Sequence, residues 1–155
     1  MRGKRAKKRV IAKDRKYNDE IIGRLINKVM QGGRKSVAEE LVYSAIESGA
    51  EKSKIPVIEF VHTTIDNIRP ALEIKSRRVG GANYSVPMPV SPRRQETLSV
   101  RWLVDVARKK TGKSFNKILE AEFVSAFNGE GDAIKKKNDV ERMAEANKAF
   151  AHFRW

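Results

Sequence analysis

The chain has 155 residues, and 33 lysines and arginines against 19 aspartates and glutamates give it a net charge of +14. This excess is larger than solubility requires and favours a polyanionic partner, nucleic acid first. The absence of cysteine excludes a disulfide framework and a thiolate metal site. No stretch approaches the roughly 20 apolar residues that span a membrane. The length predicts one domain.

Residues 1–16 are basic and have little to bury. The basic residues in this segment are Arg2, Lys4, Arg5, Lys7, Lys8, Arg9, Lys13, Arg15 and Lys16. The segment has a single acid, Asp14, and only Val10 and Ile11 could contribute to a core. Such segments are disordered alone and typically bind nucleic acid. We predict an arm over residues 1–16 and a single helical domain over residues 17–155. A targeting signal or a solubilising tail is the alternative.

Three helices are predicted in the first half of the chain, where apolar residues recur with helical period. Their predicted limits are Asn18 or Asp19 to Gly32-Gly33, Ser36 to about Gly49, and Pro56 to just before Pro70. The second helix is predicted to open with a capping box formed by Ser36 and Glu39. The third begins at a proline, which is favoured in a first turn.

The segment from Leu72 to Arg94 lacks helical period and predicts a two-stranded β-ribbon at about residues 72–90. Gly80-Gly81 is a turn signal, because glycine reaches the positive φ that a tight hairpin needs. The turn pairs Val79 with Ala82, Arg77 with Tyr84, and Lys75 with Val86. Since a lone ribbon is marginal in water, we expect its outer half to project and to be steadied by a partner.

That partner should be negative, because the segment between Glu73 and Glu96 contains no acid. Its basic residues are Lys75, Arg77, Arg78, Arg93 and Arg94. The alternative is a solvated surface hairpin whose charges only keep the protein soluble.

Three further helices are predicted after the ribbon. The fourth is predicted from Ser91-Pro92 to about Thr111 and the fifth from Ser114 to Gly129. The sixth is predicted to begin with Asp132 as its cap. On the fourth helix we expect Trp102 in the core. Its outward-facing residues are Arg93, Arg94, Arg101, Arg108, Lys109 and Lys110. The predicted fold is mainly α, a compact bundle of six helices with the ribbon between helices 3 and 4.

No catalytic or metal-binding set is evident, so an enzyme is not expected. His62 is interpreted as a partly buried histidine with a hydrogen-bond partner rather than a ligand. The run from Gly32 to Ser36 lacks the spacing of a phosphate loop. It is either an ordinary turn between helices or a site where Lys35 and the N–H groups of the second helix hold one phosphate.

Three segments carry a family resemblance: RRVGGANYSVPMPVSPRR at Arg77–Arg94, LSVRWLVDVARK at Leu98–Lys109, and AEANKAFAHFRW at the C-terminus. On these residues the chain resembles the bacterial form of the S-seven family, head proteins of the small ribosomal subunit, over almost its whole length. One departure is visible. The family pattern has prolines on both sides of the early aspartate, whereas Lys13 and Arg15 flank Asp14 here. This departure concerns how the arm enters the first helix.

The resemblance implies a structural constituent of the cytoplasmic ribosome, without a cofactor. It implies binding to the 3′ major domain of 16S rRNA and a role in nucleating head assembly. It also implies a position at the exit site near tRNA and mRNA, beside other head and platform ribosomal proteins. Bacterial members often bind their own operon's messenger as well.

Carried over to this chain, the resemblance implies two sets of site residues. The rRNA-binding residues are Arg2, Lys4, Arg5, Lys7, Lys8, Arg9, Lys35, Lys75, Arg77, Arg78, Arg93, Arg94, Lys109, Lys110 and Lys113. The ribbon tip near exit-site tRNA comprises Arg78, Gly80, Gly81, Ala82, Asn83 and Tyr84. The ring of Tyr84 either stacks on a base or covers Arg77.

Two other functions compete with the ribosomal interpretation. A DNA-bending architectural protein also grips nucleic acid with a basic β-arm on a helical body, but no apolar wedge occupies the Gly80-Gly81 turn. A hydrolase or nuclease is the other alternative, against which the lack of a catalytic constellation argues.

Overall fold

The computed structural model describes Gly3 and residues 10–153. Within these residues there are six α-helices, one two-stranded antiparallel sheet and a C-terminal 3₁₀ helix. Their order is α1 (Glu20–Val29), α2 (Lys35–Ser53), α3 (Val57–Ile68), β1 (Leu72–Val79), β2 (Ala82–Pro89), α4 (Pro92–Lys109), α5 (Phe115–Phe127), α6 (Asp132–Ala146) and the 3₁₀ helix (Lys148–Phe153). The predicted mainly helical fold, with the ribbon between α3 and α4, is confirmed.

The core lies between α1, α2, α3, α4 and α5, whose apolar stripes meet in one cluster. Its largest fully buried side chains include Ile22, Ile46, Phe60, Leu103, Leu119 and Phe123. Helix α6 buries only Ala133 and Ala144, as its thin apolar stripe predicts. Trp102 is buried, as expected, and Lys136 Nζ lies 5.9 Å from its ring centre.

The N-terminus of α1 is held by Asp19, which confirms the predicted cap. Its Oδ1 accepts hydrogen bonds from the backbone N–H groups of Ile21, at 2.8 Å, and Ile22, at 3.0 Å. Its Oδ2 lies 2.8 Å from Nε2 of His62, the partner predicted for that histidine. Burial by itself raises the pKa of Asp19, but the bonds from Ile22, His62 and Ile21 outweigh it and lower the pKa.

Two predicted features of α2 are wrong. The helix begins at Lys35 after Arg34, which makes no side-chain cap, so Ser36 lies inside the first turn and forms no capping box. The helix also continues past Gly49 to Ser53. A Cβ on Gly49 would lie 2.9 Å from the Phe60 ring, so packing against α3 requires a glycine there.

The predicted cap of α6 is also wrong. Asp132 is the first helical residue and Gly131, with φ of 94°, occupies the cap position. This conformation is one that glycine adopts readily, and it places Asp132 in the first turn, where a carboxylate is favoured by the helix dipole.

Asp14 joins the end of the basic segment to the bundle. It is only 7% exposed. Its carboxylate accepts backbone N–H groups of Lys16 at 3.0 Å, Tyr17 at 2.8 Å and Asp19 at 2.7 Å, and the Tyr43 hydroxyl at 3.2 Å. The backbone here approaches α1 so closely that a Cβ on Gly23 would lie 2.6 Å from the carbonyl oxygen of Ala12. Hydrogen bonds thus guide the chain into α1 without the flanking prolines of the family pattern.

The ribbon has the predicted register, with Val79 opposite Ala82, Arg77 opposite Tyr84, and Lys75 opposite Val86. Both glycines of the turn have positive φ, 57° at Gly80 and 92° at Gly81, as a two-residue hairpin turn requires.

The chain itself steadies the middle and the base of the ribbon, whereas we expected a partner to steady its outer half. The Tyr84 ring centre lies 5.2 Å from that of Phe150 and 5.1 Å from that of Phe153, both on the 3₁₀ helix. At the base of the ribbon, Oε1 of Glu141 in α6 accepts the backbone N–H of Ala71 at 3.0 Å. The C-terminal part of the chain therefore supports the ribbon, while Lys75, Ser76, Ser85 and the tip stay exposed.

We predict that Asp14→Asn lowers the free energy of unfolding by about 1–3 kcal/mol, because an amide group would face backbone donors that need an acceptor. Equilibrium chemical denaturation measures the change. Asp139→Asn is the matched control, since Asp139 is 56% exposed and pairs with Arg142 on the surface. Equal denaturation midpoints for Asp14→Asn and the unaltered protein would contradict this role.

We predict that Phe150→Ala speeds amide exchange in β2 about two- to tenfold, because each aromatic pair contributes about 0.5–1.5 kcal/mol. Exchange within α3 and α5 should not change. Hydrogen exchange read by mass spectrometry or NMR measures both regions. Met143→Ala is the control, because Met143 is 49% exposed on α6. Unchanged exchange in β2 would show that the 3₁₀ helix does not order the ribbon.

Candidate nucleic-acid interface

Helix α4 is the axis of the basic surface. Arg94, Arg101 and Arg108 follow one another at seven-residue spacing, so they lie on one face of the helix, and all three are exposed. They extend over roughly 21 Å at 1.5 Å per residue. The ribbon precedes the N-terminus of this helix and the turn to α5 follows its C-terminus. Helix α4 therefore connects the ribbon to the opposite end of the bundle.

The N-terminal segment reaches the bundle beside this stripe. A groove of 280 Å³ is lined by Ile11, Lys28 and Arg101, among others. Lys28 Nζ pairs with Oδ1 of Asp105 at 3.2 Å, while Arg101 makes no ion pair with the described part of the chain. Six of the predicted arm residues, Arg2, Lys4, Arg5, Lys7, Lys8 and Arg9, lie outside the described residues.

Arg108 holds two turns together. Its Nη2 donates to the backbone carbonyls of Lys28 and Val29, each at 3.1 Å, at the C-terminal end of α1. The α1–α2 turn, with Arg34 and Lys35, thereby lies against the α4–α5 turn, and one groove is lined by residues of both. The contact brings together basic residues that are about 75 positions apart in the sequence.

The predicted rRNA-binding residues at these turns differ in their surroundings. Lys109 and Lys113 are exposed and form no ion pair within the described residues. Lys35 pairs with Glu39 one helical turn later, at 3.7 Å. Arg34, which the sequence-based residue set omits, is exposed beside them. Its position next to the double glycine turn is the signal that could have included it.

The ammonium group of Lys110 forms ion pairs with two carboxylates of the same chain. Its Nζ lies 2.7 Å from Oε2 of Glu122 and 2.9 Å from Oδ2 of Asp132. The hydrogen bond with Glu122, and then that with Asp132, raises the pKa of Lys110. The same contact lowers the pKa of Asp132. Lys110 thus links α4 to α5 and α6, and little of its charge is left for a phosphate.

The cations at the base of the ribbon are also partly neutralised. Glu73 lies 3.1 Å from Nζ of Lys75 and 3.2 Å from Nε of Arg94. Burial by itself raises the pKa of Glu73, but the hydrogen bonds from Lys75 and Arg94 outweigh it and lower the pKa. Arg77 is half-buried opposite Tyr84, and Arg93 is exposed. The base of the ribbon is therefore less positive than its composition indicates.

The ribbon tip is open on all sides. Arg78, Gly80, Gly81, Ala82 and Asn83 are exposed, and no atom lies within 4 Å of a Cβ placed on either glycine. Arg78 has no ion pair among the described residues. Tyr84, by contrast, packs on Phe150 and Phe153 of the 3₁₀ helix. Its two predicted roles, stacking on a base or covering Arg77, stay predictions.

Arg101, like Arg34 and Arg108, is a functional candidate that the sequence-based residue set left out. Its signal was present, since it lies seven residues after Arg94 and seven before Arg108.

In the part of the chain that the structure describes, no group of three or more acidic or histidine side chains could hold a metal ion. No described helix is long and apolar enough to cross a membrane.

Known proteins are similar to this chain along nearly its whole length. A family model described as ribosomal protein S7p/S5e matches residues 1–148. The small ribosomal subunit protein uS7 of Thermosipho africanus is 51% identical over 155 residues, which is the whole of both chains. That of Nautilia profundicola is 50% identical over the same length. That of Acinetobacter baumannii is 50% identical over 147 residues, 95% of this chain and 94% of the relative. The predicted resemblance is confirmed, and the chain belongs to the ribosomal protein S7p/S5e family.

Proposed function

We propose that this protein is an RNA-binding structural component of the small ribosomal subunit, which binds the 3′ major domain of 16S rRNA and helps to nucleate assembly of the head. Its family consists of structural ribosomal components, so the protein is not an enzyme, and it works in the cytoplasm with the ribosome.

The observation that carries the proposal is the basic surface along α4. Arg108 joins the α1–α2 turn to the α4–α5 turn, and beside it Lys109 and Lys113 have no acidic partner among the described residues. Cations of this kind neutralise phosphates and release counterions. The surface lies on two turns and one helix face, which suits the recognition of folded RNA by its shape.

The ribbon tip supports a second contact. We propose that Arg78 and the residues from Gly80 to Asn83 lie near exit-site tRNA and mRNA, beside platform and head proteins. The tip is exposed and positive, and its two turn residues have no side chain that could enter a narrow space between base pairs. Proteins that bend DNA frequently insert such a wedge between base steps, so its absence from the tip favours RNA over DNA bending.

Competition binding tests the proposed function. The protein should bind a 3′ major domain fragment of small-subunit rRNA in preference to duplex DNA of equal length, at equal concentration and salt. Footprinting of the same fragment should locate protected nucleotides. Displacement of the RNA by duplex DNA at equal concentration would overturn the proposal and favour the DNA-bending alternative.

We predict that the double substitution Lys109→Ala with Lys113→Ala weakens binding to this RNA fragment and lowers the slope of log affinity against log salt by about two, one for each phosphate that no longer has a lysine beside it. The control is Lys135→Ala with Arg142→Ala, which removes the same charge from α6, where both cations already pair with acids. If both double variants bind the fragment equally weakly, binding follows net charge and not this surface.

We predict that Arg77→Ala with Arg78→Ala weakens tRNA binding at the exit site of reconstituted small subunits about tenfold, while the thermal melt of the free protein hardly changes. One hydrogen bond to a charged group is worth about 1.5–3 kcal/mol. Lys75→Ala is the control, because Glu73 already neutralises Lys75 in the same ribbon. A melt that collapses in the double variant would instead give these arginines a folding role.

A further inference from the structure

Two neighbouring grooves lie beside the α1–α2 turn. One, of 340 Å³, lies between this turn and the α4–α5 turn, and the other, of 380 Å³, extends from it along the start of α2. Both are lined by Val29, Gln31 and Leu41. Because they share these three residues the two grooves are adjacent, and we name them together the turn groove.

The floor of the turn groove is apolar and only partly covered by the chain. Leu41 and Phe115 are half-buried, and Val37 is 50% exposed at one end. Large apolar side chains in such positions cost free energy when they face water. An apolar floor of this kind can bind the face of an aromatic ring system.

The rim of the turn groove is positive. Arg34 borders one part, Arg108, Lys110 and Lys113 border the other, and no acidic residue lines either groove. Lys110 is already paired with Glu122 and Asp132, so Arg34, Arg108 and Lys113 are the rim cations without an acidic partner among the described residues. Because two backbone carbonyls hold Nη2 of Arg108 at 3.1 Å, its guanidinium plane is fixed, with further N–H donors directed elsewhere. An ordered guanidinium suits phosphate or a stacked base. Charge complementarity therefore favours a ligand with an apolar face and an anionic flank.

Gln31 supplies a polar group that both parts of the groove share. Its exposed side-chain amide contains both a donor and an acceptor. Such an amide can pair with the hydrogen-bonding edge of a base. Proteins that recognise RNA by sequence read unstacked bases in this way, by stacking and by contacts along the Watson–Crick edge.

We propose that the turn groove binds one unpaired nucleobase of the RNA. The base lies over Leu41 and Phe115, its edge faces Gln31, and the adjoining phosphates lie at Arg108 and Lys113. This inference rests on the proposed function and adds to it a ligand class, a single-stranded nucleotide extruded from folded RNA. An apolar protein segment is the other possible occupant, but three rim cations without an acid favour a phosphate-bearing ligand.

The test measures binding of the whole protein to the 3′ major domain fragment of small-subunit rRNA, with chemical probing of its unpaired bases. Leu41→Asn removes the apolar floor, and Gln31→Ala, on an exposed turn, removes the hydrogen-bonding edge without disturbing the core. Ile58→Asn is the matched control, because Ile58 is 45% exposed on α3, away from the groove. Thermal melts check that each variant is folded.

We expect Leu41→Asn to weaken binding roughly five- to hundredfold, as the loss of one stacked base does. The salt slope should stay the same, since no charge changes. One unpaired base that the unaltered protein protects should become reactive in both Leu41→Asn and Gln31→Ala, but not in Ile58→Asn.

Three results would overturn the inference, and they are distinguishable. If both variants keep the affinity and base protections of the unaltered protein, the turn groove holds no base, although the proposed function stands. If they bind RNA normally but fail to retain a neighbouring protein in reconstituted subunits, the occupant is that protein. If the unaltered protein does not prefer the RNA to duplex DNA, the proposed function fails and this inference fails with it.

Discussion

Buried carboxylates hold together a chain whose net charge is +14. Among the described residues, the two charged side chains in the interior are Asp14 and Glu122, 7% and 1% exposed. Asp14 accepts three backbone N–H groups before α1, and Glu122 accepts the N–H of Ala133 at 2.9 Å and Nζ of Lys110 at 2.7 Å. Because a buried carboxylate is costly unless it is fully bonded, these two acids determine where the N-terminal segment and the start of α6 can lie.

The use of acids within the fold also shapes the surface. Glu96 lies 3.1 Å from Arg24 and 3.4 Å from Arg69, which ties α4 to α1 and to the end of α3. Glu73 likewise forms ion pairs with Lys75 and with Arg94. Since these acids pair with cations at the base of the ribbon and between helices, unpaired positive charge remains at Arg101 on α4 and on the two turns. The pattern of internal pairing, more than the total charge, therefore selects the surface available to RNA.

The ribbon and the two turns differ in how the protein prepares them for a partner. At the ribbon, Phe150 and Phe153 pack on Tyr84, so its middle is ordered by the chain itself. At the turns, Arg108 fixes α1 against the end of α4 through two hydrogen bonds. A surface ordered before binding loses less conformational entropy when a partner arrives. Both contacts thus support binding by a scaffold that is already folded. The arm is the part that the sequence predicts to become ordered when it binds RNA.

The sequence by itself determined the features that depend on near neighbours. Helical period and proline positions predicted six helices, the double glycine predicted the register of the ribbon, and the motifs predicted the family. Only the tertiary structure decided the roles of Lys110 and Tyr84, each of which depends on a residue at least twelve positions away. It also decided the burial of Asp14, whose hydrogen bonds to nearby backbone N–H groups are joined by one from Tyr43. Local pattern even misled at Ser36, which lies in the first turn of α2, and at Gly49, which is a close contact with Phe60 inside the helix and not its end. The physical reason is that periodicity records which face of an element is apolar. A charged or aromatic side chain takes its partner from whatever the folded chain brings beside it.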